Sequence, residues 1–319
     1  MSRQIATITF NPAFDLVGFA DHIERGEVNQ IQTAGLHPAG KGINVAKVLS
    51  DLGANVTAGG LLGQDNIAEY HALFQRQSIT DHCVAVEGRT RINVKLTESG
   101  DVVTDLNFSG FTVSQADWQQ FSEQSLVWLA KMDMVCISGS LAQGIESTEF
   151  KNWLCAVKQV CPRILLDSSG EALKHGLTVV PWLIKPNHRE LEQWADRQLT
   201  SLDDIQQAAL QLQNLGIEHV VVSLGSAGAL WVNQQGCLLA KPLACHVVST
   251  VGAGDSMVAG LAWGLLNDQS IEQCLRLATA VAGQAVEQTG VGISDRQQLD
   301  TLMAKVEIQA VNGQQREPQ

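Results

Sequence analysis

The sequence predicts an α/β fold, in which a doubly wound, mainly parallel β-sheet carries helices on both faces. From about residue 114 onward, segments with helical spacing alternate with short apolar segments, which is the pattern of a parallel α/β sheet. The apolar segments, such as 134–137 and 220–222, lack alternating polar residues, as expected for strands covered on both faces. With 319 residues, 45% of them hydrophobic and 17% charged, the chain can form a large core.

Strands dominate the predicted N-terminal third, and helices alternate with strands after it. Residues 5–10 are β-rich and end at Asn11-Pro12. The other predicted strands are 84–86, 91–97, 102–108, 134–137, 164–166, 183–184 and 220–222. The predicted helices are 42–52, 66–77, 114–131, about 147–160, one beginning near Asn187, 203–215, and three after about residue 253 that end near Val306. Residues 309–319 are polar and predict a frayed tail.

The topology also predicts where ligands bind. Open parallel sheets bind ligands beyond the carboxyl ends of their strands. We therefore expect the functional residues in the loops that follow residues 137, 166, 184 and 222.

Composition and charge exclude several classes of function. The chain has 21 lysines and arginines against 33 aspartates and glutamates, a net charge of −12, which opposes binding to nucleic acid or to an anionic membrane. None of the seven cysteines has metal-site spacing, and the count is odd, so we expect free thiols in a reducing cytoplasm. Neither a signal peptide nor an apolar stretch of about 18 residues is recognisable, so no membrane span is expected.

Residues 250–255 (Thr-Val-Gly-Ala-Gly-Asp) precede a predicted helix. Small residues at a helix start let backbone N–H groups converge on an anion, and the helix dipole favours negative charge there. Asp255 is then either a general base beside a phosphate acceptor or simply an aspartate that caps the helix. This segment alone leaves both alternatives open.

Residues 35–42 nearly match two phosphate-binding motifs and fail both. Gly42 stands where a P-loop has serine or threonine, and Val45 stands where a dinucleotide-binding loop has its last glycine. The failure at Val45 also disfavours a nicotinamide dehydrogenase. What remains is a turn with a cation at Lys41 and a polar Asn44, either a loop that contacts substrate or a plain turn.

The strand predicted at 91–97 has a cationic face. Arg91, Asn93 and Lys95 share one side of the strand at period two, and apolar residues share the other. In an acidic chain this local excess of positive charge fits a phosphate, although a solvated surface strand has the same pattern.

The loops after three of the predicted strands, 134–137, 183–184 and 220–222, carry further polar candidates. Asn187 and Glu190 lie three positions apart, which suits two oxygen ligands for Mg²⁺ or, alternatively, a helix capping box. Residues 138–140, and 223–225 with Gly228, are small or polar, and they either approach a ligand or only form turns.

The order of these motifs resembles one family. Residues 39–46 (Ala-Gly-Lys-Gly-Ile-Asn-Val-Ala), followed by Gly53 and Gly63, resemble the N-terminal signature of the ribokinase-like carbohydrate kinases, also called the PfkB family. Residues 249–255 resemble the C-terminal signature of that family. Motifs at 11–15, 90–93, 138–141, 185–190 and 223–225 occur in the same order, so the resemblance runs from residue 3 to about 306.

The resemblance implies an ATP- and Mg²⁺-dependent kinase that phosphorylates O6 of fructose 1-phosphate to give fructose 1,6-bisphosphate. The cationic strand points to the phosphosugar branch of the family. Alternatives are a kinase of tagatose 6-phosphate or fructose 6-phosphate and, from another class, a non-catalytic sugar-phosphate sensor. Retention of Asp255 with its small neighbours argues against the sensor.

The resemblance also implies roles for individual residues. The catalytic set is Asp255 as base, with the backbone of Gly252, Ala253 and Gly254 as anion hole. The substrate set is Asp15, Gly40, Lys41, Asn44 and Ser140 on the sugar, with Arg91, Asn93 and Lys95 on its phosphate. The nucleotide set is Lys185, Asn187, Ser223, Gly225, Gly228, Ser249, Thr250 and Val251, with Gly252, Ala253 and Gly254. Asn187 and Glu190 are implied to hold Mg²⁺ through water.

The family fold implies one kinase domain over residues 1–308, followed by the polar tail 309–319. Within that domain, a small β-sheet lid is expected from about 12–35 and 88–110. Because such lids often pair between two subunits, the resemblance also implies a homodimer.

Overall fold

The structure is a computed structural model that describes residues 3–99 and 102–311, and over these residues the chain forms fourteen strands and ten α-helices. The strands are β1 (Gln4–Thr9), β2 (Ala13–Ala20), β3 (Gln32–Ala39), β4 (Asn55–Gly63), β5 (Thr80–Val86), β6 (Arg91–Glu98), β7 (Val102–Asn107), β8 (Met134–Ser138), β9 (Ile164–Asp167), β10 (Leu183–Ile184), β11 (His219–Ser223), β12 (Ala229–Asn233), β13 (Gly236–Ala240) and β14 (Ile308–Ala310). The helices are α1 (Lys41–Asp51), α2 (Ala68–Arg76), α3 (Gln115–Leu129), α4 (Ser147–Val160), α5 (Gly170–Leu177), α6 (His188–Ala195), α7 (Leu202–Asn214), α8 (Ala253–Leu266), α9 (Ile271–Val286) and α10 (Arg296–Lys305).

Ten strands form one large sheet in the order β14-β13-β12-β11-β10-β9-β8-β1-β4-β5. Pairing is parallel from β5 to β11 and antiparallel from β11 to β14. Strands β8 and β9 are buried along their whole length, as their continuous apolar sequences predict. The predicted fold class is therefore confirmed.

Two apolar clusters cover the faces of this sheet. One contains Trp118, Phe121, Phe150 and Trp153 from α3 and α4, which pack around Phe10 at the end of β1. The other contains most of the buried apolar residues of α1, α8 and α9. Helices α1 and α8 pack against each other, and this brings their first turns together at the carboxyl edge of the sheet.

A second, four-stranded sheet has the order β3-β2-β6-β7. Strands β2 and β6 pair in parallel, so that Asp15 lies opposite Asn93, and β7 pairs antiparallel to β6, so that Asn107 lies opposite Asn93. One face of this small sheet is polar, whereas Leu36 and Leu106 on the other face are 50% and 47% exposed.

The structure departs from the predicted elements at several points. Helix α5 and strands β4, β12 and β13 had no counterpart among the predictions, and β3 runs on to Ala39, past the expected bound at residue 35. The polar tail expected from residue 309 is wrong at its start, because Gln309 and Ala310 pair with β13 and extend the large sheet. The rest of that expected tail, residues 312–319, lies outside the described residues. None of the described helices has the length and apolarity to cross a membrane.

Candidate active site

A cavity of about 550 Å³ opens between the carboxyl edge of the large sheet and the polar face of the small sheet. Seventeen of the predicted site residues line it: Asp15, Gly40, Lys41, Asn44, Arg91, Asn93, Lys95, Ser140, Lys185, Asn187, Glu190, Ser223, Thr250, Val251, Gly252, Gly254 and Asp255. The cavity thus joins loops that are separated by more than 200 positions in the chain, at the edge where a parallel sheet is expected to bind ligands.

Asp255 lies in the first turn of α8 and is only 6% exposed. Its Oδ2 accepts a hydrogen bond of 2.8 Å from Nδ2 of Asn44, in the first turn of α1. Burial raises the pKa of Asp255 to about 6, against the opposing effect of the nearby Lys41 charge. The cap of α8 is Gly252 and not Asp255, so the capping alternative for this aspartate is wrong.

The start of α8 requires small residues. Gly252 has a φ of 76°, and a Cβ there would lie 2.2 Å from Cγ2 of Val291, so no larger residue fits without a rearrangement. Gly254 follows, and a Cβ built on it would lie 3.7 Å from Nζ of Lys185. A helix N-terminus and a lysine ammonium group therefore meet on one side of the cavity, which favours an anion there.

An ionic cluster of Asp167, Lys41 and Lys185 lies beside Asp255. Asp167, at the end of β9, is 1% exposed, and its Oδ1 and Oδ2 lie 3.2 Å from Lys185 Nζ and 3.5 Å from Lys41 Nζ. Burial alone would raise the pKa of Asp167, but the two ammonium groups hold it below its ordinary value. The Asp167 charge in turn raises the pKa of Lys41. Asp167 therefore holds both ammonium groups beside the cavity.

Asp167 was not among the predicted site residues. Its signal was its place directly after the apolar residues 164–166, one of the positions where functional loops were expected. Six polar or small residues that line the cavity were also absent from the predicted site: Asn11, Ala13, Asp105, Asn107, Gly139 and Ser169. Period-two alternation along β7 places Asp105 and Asn107 on one face and was available as a signal.

The polar face of the small sheet is organised around Asp15. Lys95 Nζ lies 3.0 Å from Asp15 Oδ2, and Asn93 Nδ2 lies 3.4 Å from Asp15 Oδ1. Arg91 is only partly buried, and its Nε donates to the carbonyl of Pro12 at 3.4 Å. Arg91 therefore keeps the terminal nitrogens of its guanidinium group available for an anion.

Asn187 and Glu190 form the capping box that was one of their two predicted alternatives. Asn187 Oδ1 accepts from the Glu190 N–H at 2.8 Å, and Glu190 Oε2 accepts from the Asn187 N–H at 2.9 Å. Both residues also line the cavity, and Glu190 Oε1 takes no part in the box.

The donor set fits a loosely held Mg²⁺. Over residues 3–99 and 102–311, no group of three or more histidine, cysteine, aspartate or glutamate side chains is placed to enclose a metal ion. The oxygens of Asn187 and Glu190 instead suit outer contacts through water, which is how Mg²⁺ that arrives on phosphate oxygens is commonly bound.

Four predicted residues do not line the cavity: Ala253, Gly225, Gly228 and Ser249. Gly228 has a backbone role, because a Cβ at its φ of 99° would lie 2.0 Å from the carbonyl oxygen of Ala240 in β13. Ser249 Oγ accepts from the N–H of Val251, which does line the cavity. These two residues shape the wall from behind.

Three comparisons bear on this site. The family model described as pfkB family carbohydrate kinase matches residues 9–298. A protein named 1-phosphofructokinase from Escherichia coli strain K12 is 58% identical over 312 residues, covering 98% of this chain and all of that protein. A 1-phosphofructokinase from Haemophilus influenzae is 50% identical over 310 residues, covering 97% of this chain and 99% of that protein.

Among solved structures, phosphofructokinase-2 from Escherichia coli in complex with potassium superposes with a TM-score of 0.87 at 29% sequence identity. The match covers 95% of this chain and 99% of that one. The likeness therefore extends over both sheets and the cavity between them.

Proposed function

This chain belongs to the pfkB family of carbohydrate kinases, and we propose that it transfers the γ-phosphoryl group of ATP to O6 of fructose 1-phosphate, giving fructose 1,6-bisphosphate and ADP. One observation carries the proposal beyond family membership. A buried carboxylate at the start of α8 shares a single cavity with the cationic strand β6. A kinase of a phosphorylated sugar needs both, because the strand grips one end of the acceptor while the carboxylate meets the hydroxyl at the other.

Asp255 is the proposed general base. Asn44 occupies its Oδ2, which leaves Oδ1 for the proton of the attacking hydroxyl. As the bond from O6 to the γ-phosphorus forms, the bond from that phosphorus to the β–γ bridging oxygen breaks, and the O6 proton passes to Asp255. A pKa of about 6 keeps most of this carboxylate ionised at neutral pH while bringing it closer to the hydroxyl's proton affinity.

Positive charge beside the base would stabilise the transferred group. The first turn of α8, with Gly252, Ala253 and Gly254, is the proposed anion hole, and Lys185 lies next to Gly254. Lys41, held by Asp167, flanks the same region. In phosphoryl transfer most of the catalysis comes from such positioning and electrostatics, because little covalent chemistry is left for the protein to do.

The acceptor is proposed to lie along the small sheet. Gly40, Asn44, Ser140 and Asp15 would hold the sugar, and Arg91 and Lys95 would attract its phosphate. Support comes from their common place on the cavity wall and from the ion pair that fixes Lys95 beside Asp15.

The nucleotide would occupy the end of the cavity opposite to the small sheet. Ser223, Thr250 and Val251 line this part of the wall, whereas Gly225, Gly228 and Ser249 would act by shaping the backbone behind it. When bound with ATP, Mg²⁺ would neutralise phosphate charge, and Asn187 and Glu190 would hold it through water.

The test is an ADP-release assay with ATP and Mg²⁺ over fructose 1-phosphate, fructose 6-phosphate and tagatose 6-phosphate. We expect kcat/KM to be highest for fructose 1-phosphate by at least tenfold. A preference for either 6-phosphate would support the alternative kinases. Absence of ADP release with all three sugars, together with tight binding of one of them, would support the sensor alternative.

We also propose that the chain, through the end of β14, acts as one kinase domain in which the small sheet is a lid, and that two copies pair through the outer face of that sheet. That face carries an apolar row across four strands, Leu36, Leu16, Val94 and Leu106, which are register partners. Leu36 and Leu106, at 50% and 47% exposure, would be covered by a second copy.

Sedimentation at micromolar concentration tests this dimer. We expect twice the 34.4 kDa chain mass for the parent protein and monomer for Leu36→Asp. Val127→Asp, on the exposed face of α3, is the matched control and should remain a dimer. A parent protein that sediments as monomer would contradict the pairing.

The seven cysteines are all free, which supports a cytoplasmic location for the enzyme.

A further inference from the structure

Three polar residues form a row across the small sheet and face the cavity. Asp15 on β2, Asn93 on β6 and Asn107 on β7 are register partners, and all three line the cavity wall. Adjacent strands lie about 4.8 Å apart, so the row spans roughly 10 Å, comparable to the length of a furanose ring with its substituents.

The orientation of the Asn93 amide is fixed by its neighbour. Asn93 Nδ2 lies 3.4 Å from Asp15 Oδ1, and a carboxylate only accepts hydrogen bonds, so the nitrogen and not the oxygen must face Asp15. Asn93 Oδ1 therefore faces the other way. That atom is buried and has no hydrogen-bond partner within residues 3–99 and 102–311.

A buried acceptor without a donor is unfavourable and is normally satisfied by a ligand or a water molecule. A phosphate ester near neutral pH presents almost only acceptor oxygens and cannot satisfy Asn93 Oδ1. A sugar hydroxyl can donate to it. Asn93 Oδ1 therefore suits the hydroxyl groups of a sugar phosphate and not its phosphate group.

We propose that Asn93 and Asn107 recognise ring hydroxyls of the ketose and thereby set which sugar is accepted, whereas Arg91 and Lys95 attract the phosphate. Asn93 Oδ1 accepts from one hydroxyl. Asn107, its exposed partner on the edge strand β7, has an amide that both donates and accepts, and it reads a neighbouring hydroxyl. This inference rests on the proposed function, since it assigns the ketose subsite of the same cavity.

The experiment combines variants with substrate analogues. Asn93→Leu and Asn107→Leu keep a similar side-chain volume and remove all hydrogen bonding. The substrates are fructose 1-phosphate and its 3-deoxy and 4-deoxy analogues. We expect the parent enzyme to lose roughly ten- to hundred-fold in kcat/KM with the analogue that lacks the bonded hydroxyl. Each variant should show a similar loss of kcat/KM with fructose 1-phosphate. With the analogue that lacks the hydroxyl bonded by the substituted asparagine, kcat/KM should then fall almost no further.

Inorganic phosphate as a competitive inhibitor separates the two roles. Arg91→Ala should weaken its inhibition, and the two asparagine variants should leave it unchanged. The inference would be overturned if, for both analogues, the loss of kcat/KM caused by the substitution multiplied the loss caused by the missing hydroxyl. It would also be overturned if the asparagine variants weakened inhibition by phosphate as much as Arg91→Ala does. If Asn93→Leu fails to fold by circular dichroism, Asn107→Leu on the exposed edge carries the same test.

Failure of the proposed function is a separate result. In that case the parent enzyme would not phosphorylate fructose 1-phosphate at all. If the parent enzyme is active and the losses of kcat/KM from substitution and from deoxygenation multiply independently, only the proposed recognition of the hydroxyls is rejected.

Discussion

Asn44 Nδ2 lies 2.8 Å from Asp255 Oδ2, a contact between residues 211 positions apart that ties the first turn of α1 to the first turn of α8. Because Gly40 and Lys41 at the start of α1 also line the cavity, the helix proposed to hold the sugar also orients the proposed base.

Asp255→Asn should lower kcat by roughly 10²–10⁴-fold, the usual contribution of a general base, and leave the KM values nearly unchanged. Steady-state ADP release measures this. Asp105→Asn is the matched control, because Asp105 lines the same cavity on β7, away from the start of α8, and should keep kcat within a few-fold. Near-parent turnover by Asp255→Asn would remove Asp255 from its role.

The pH profile of kcat/KM should have an acid limb near pH 6. The base must be unprotonated to accept a proton, and burial raises the pKa of Asp255 to about 6, so activity should fall about tenfold per pH unit below that value. Initial rates between pH 4.5 and 8 give the limb. A limb near pH 4, typical of an exposed aspartate, would contradict the raised pKa.

The same pKa shift predicts that Asp255→Asn stabilises the fold at pH 7.5. The pKa of Asp255 rises from 3.8 in the unfolded chain to about 6 in the fold, so the ionised form is penalised by folding above pH 6. Removing that charge should add at most about 3 kcal/mol to the free energy of unfolding. The gain should shrink as the pH falls from 6 to 4. Urea unfolding of the parent protein and of Asp255→Asn at pH 7.5 and at pH 4 measures this gain. A difference in the free energy of unfolding that is the same at both pH values would exclude ionisation as the cause.

Arg91→Ala should raise the KM for fructose 1-phosphate by at least tenfold and leave the KM for ATP nearly unchanged, because Arg91 lines only the small-sheet side of the cavity. Arg89→Ala removes a nearby exposed arginine that does not line the cavity, and it should change neither constant. Equal increases in both KM values would argue against a phosphate contact.

Asp167→Asn should destabilise the fold by about 3–5 kcal/mol and lower kcat, because it leaves Lys41 and Lys185 without their buried counter-charge. Glu307→Gln, which breaks the exposed ion pair with Lys241, should change stability little. Urea unfolding compares the two. If Asp167→Asn is as stable as Glu307→Gln, the buried cluster is not needed for the fold.

Local sequence patterns predicted the parallel sheet, whereas most of the cavity wall was implied by the resemblance to the carbohydrate kinases. Apolar runs such as 134–137 specify buried strands, and the small residues before α8 predict a helix start that suits an anion. Asp167 was missed because an aspartate after a strand has no distinctive local pattern. Its importance comes from two lysines that the fold brings to it.

Other differences also depend on contacts distant in the chain. Strand β14 forms because Gln309 and Ala310 meet the free edge of β13, which a polar local sequence does not reveal. The orientation of the Asn93 amide depends on Asp15, which lies on β2, 78 positions earlier in the chain. Gly228 looked like a ligand-contacting residue, and its small size instead accommodates the carbonyl of Ala240.

The cavity is assembled from two separate sheets, and this division has an evolutionary consequence. The residues proposed to recognise the acceptor lie mainly on β2, β6 and β7, whereas those proposed for the transfer step lie at the starts of α1 and α8 and at the ends of β9 and β10. Substitutions on three short strands can therefore shift substrate preference during divergence, while the transfer machinery is inherited intact.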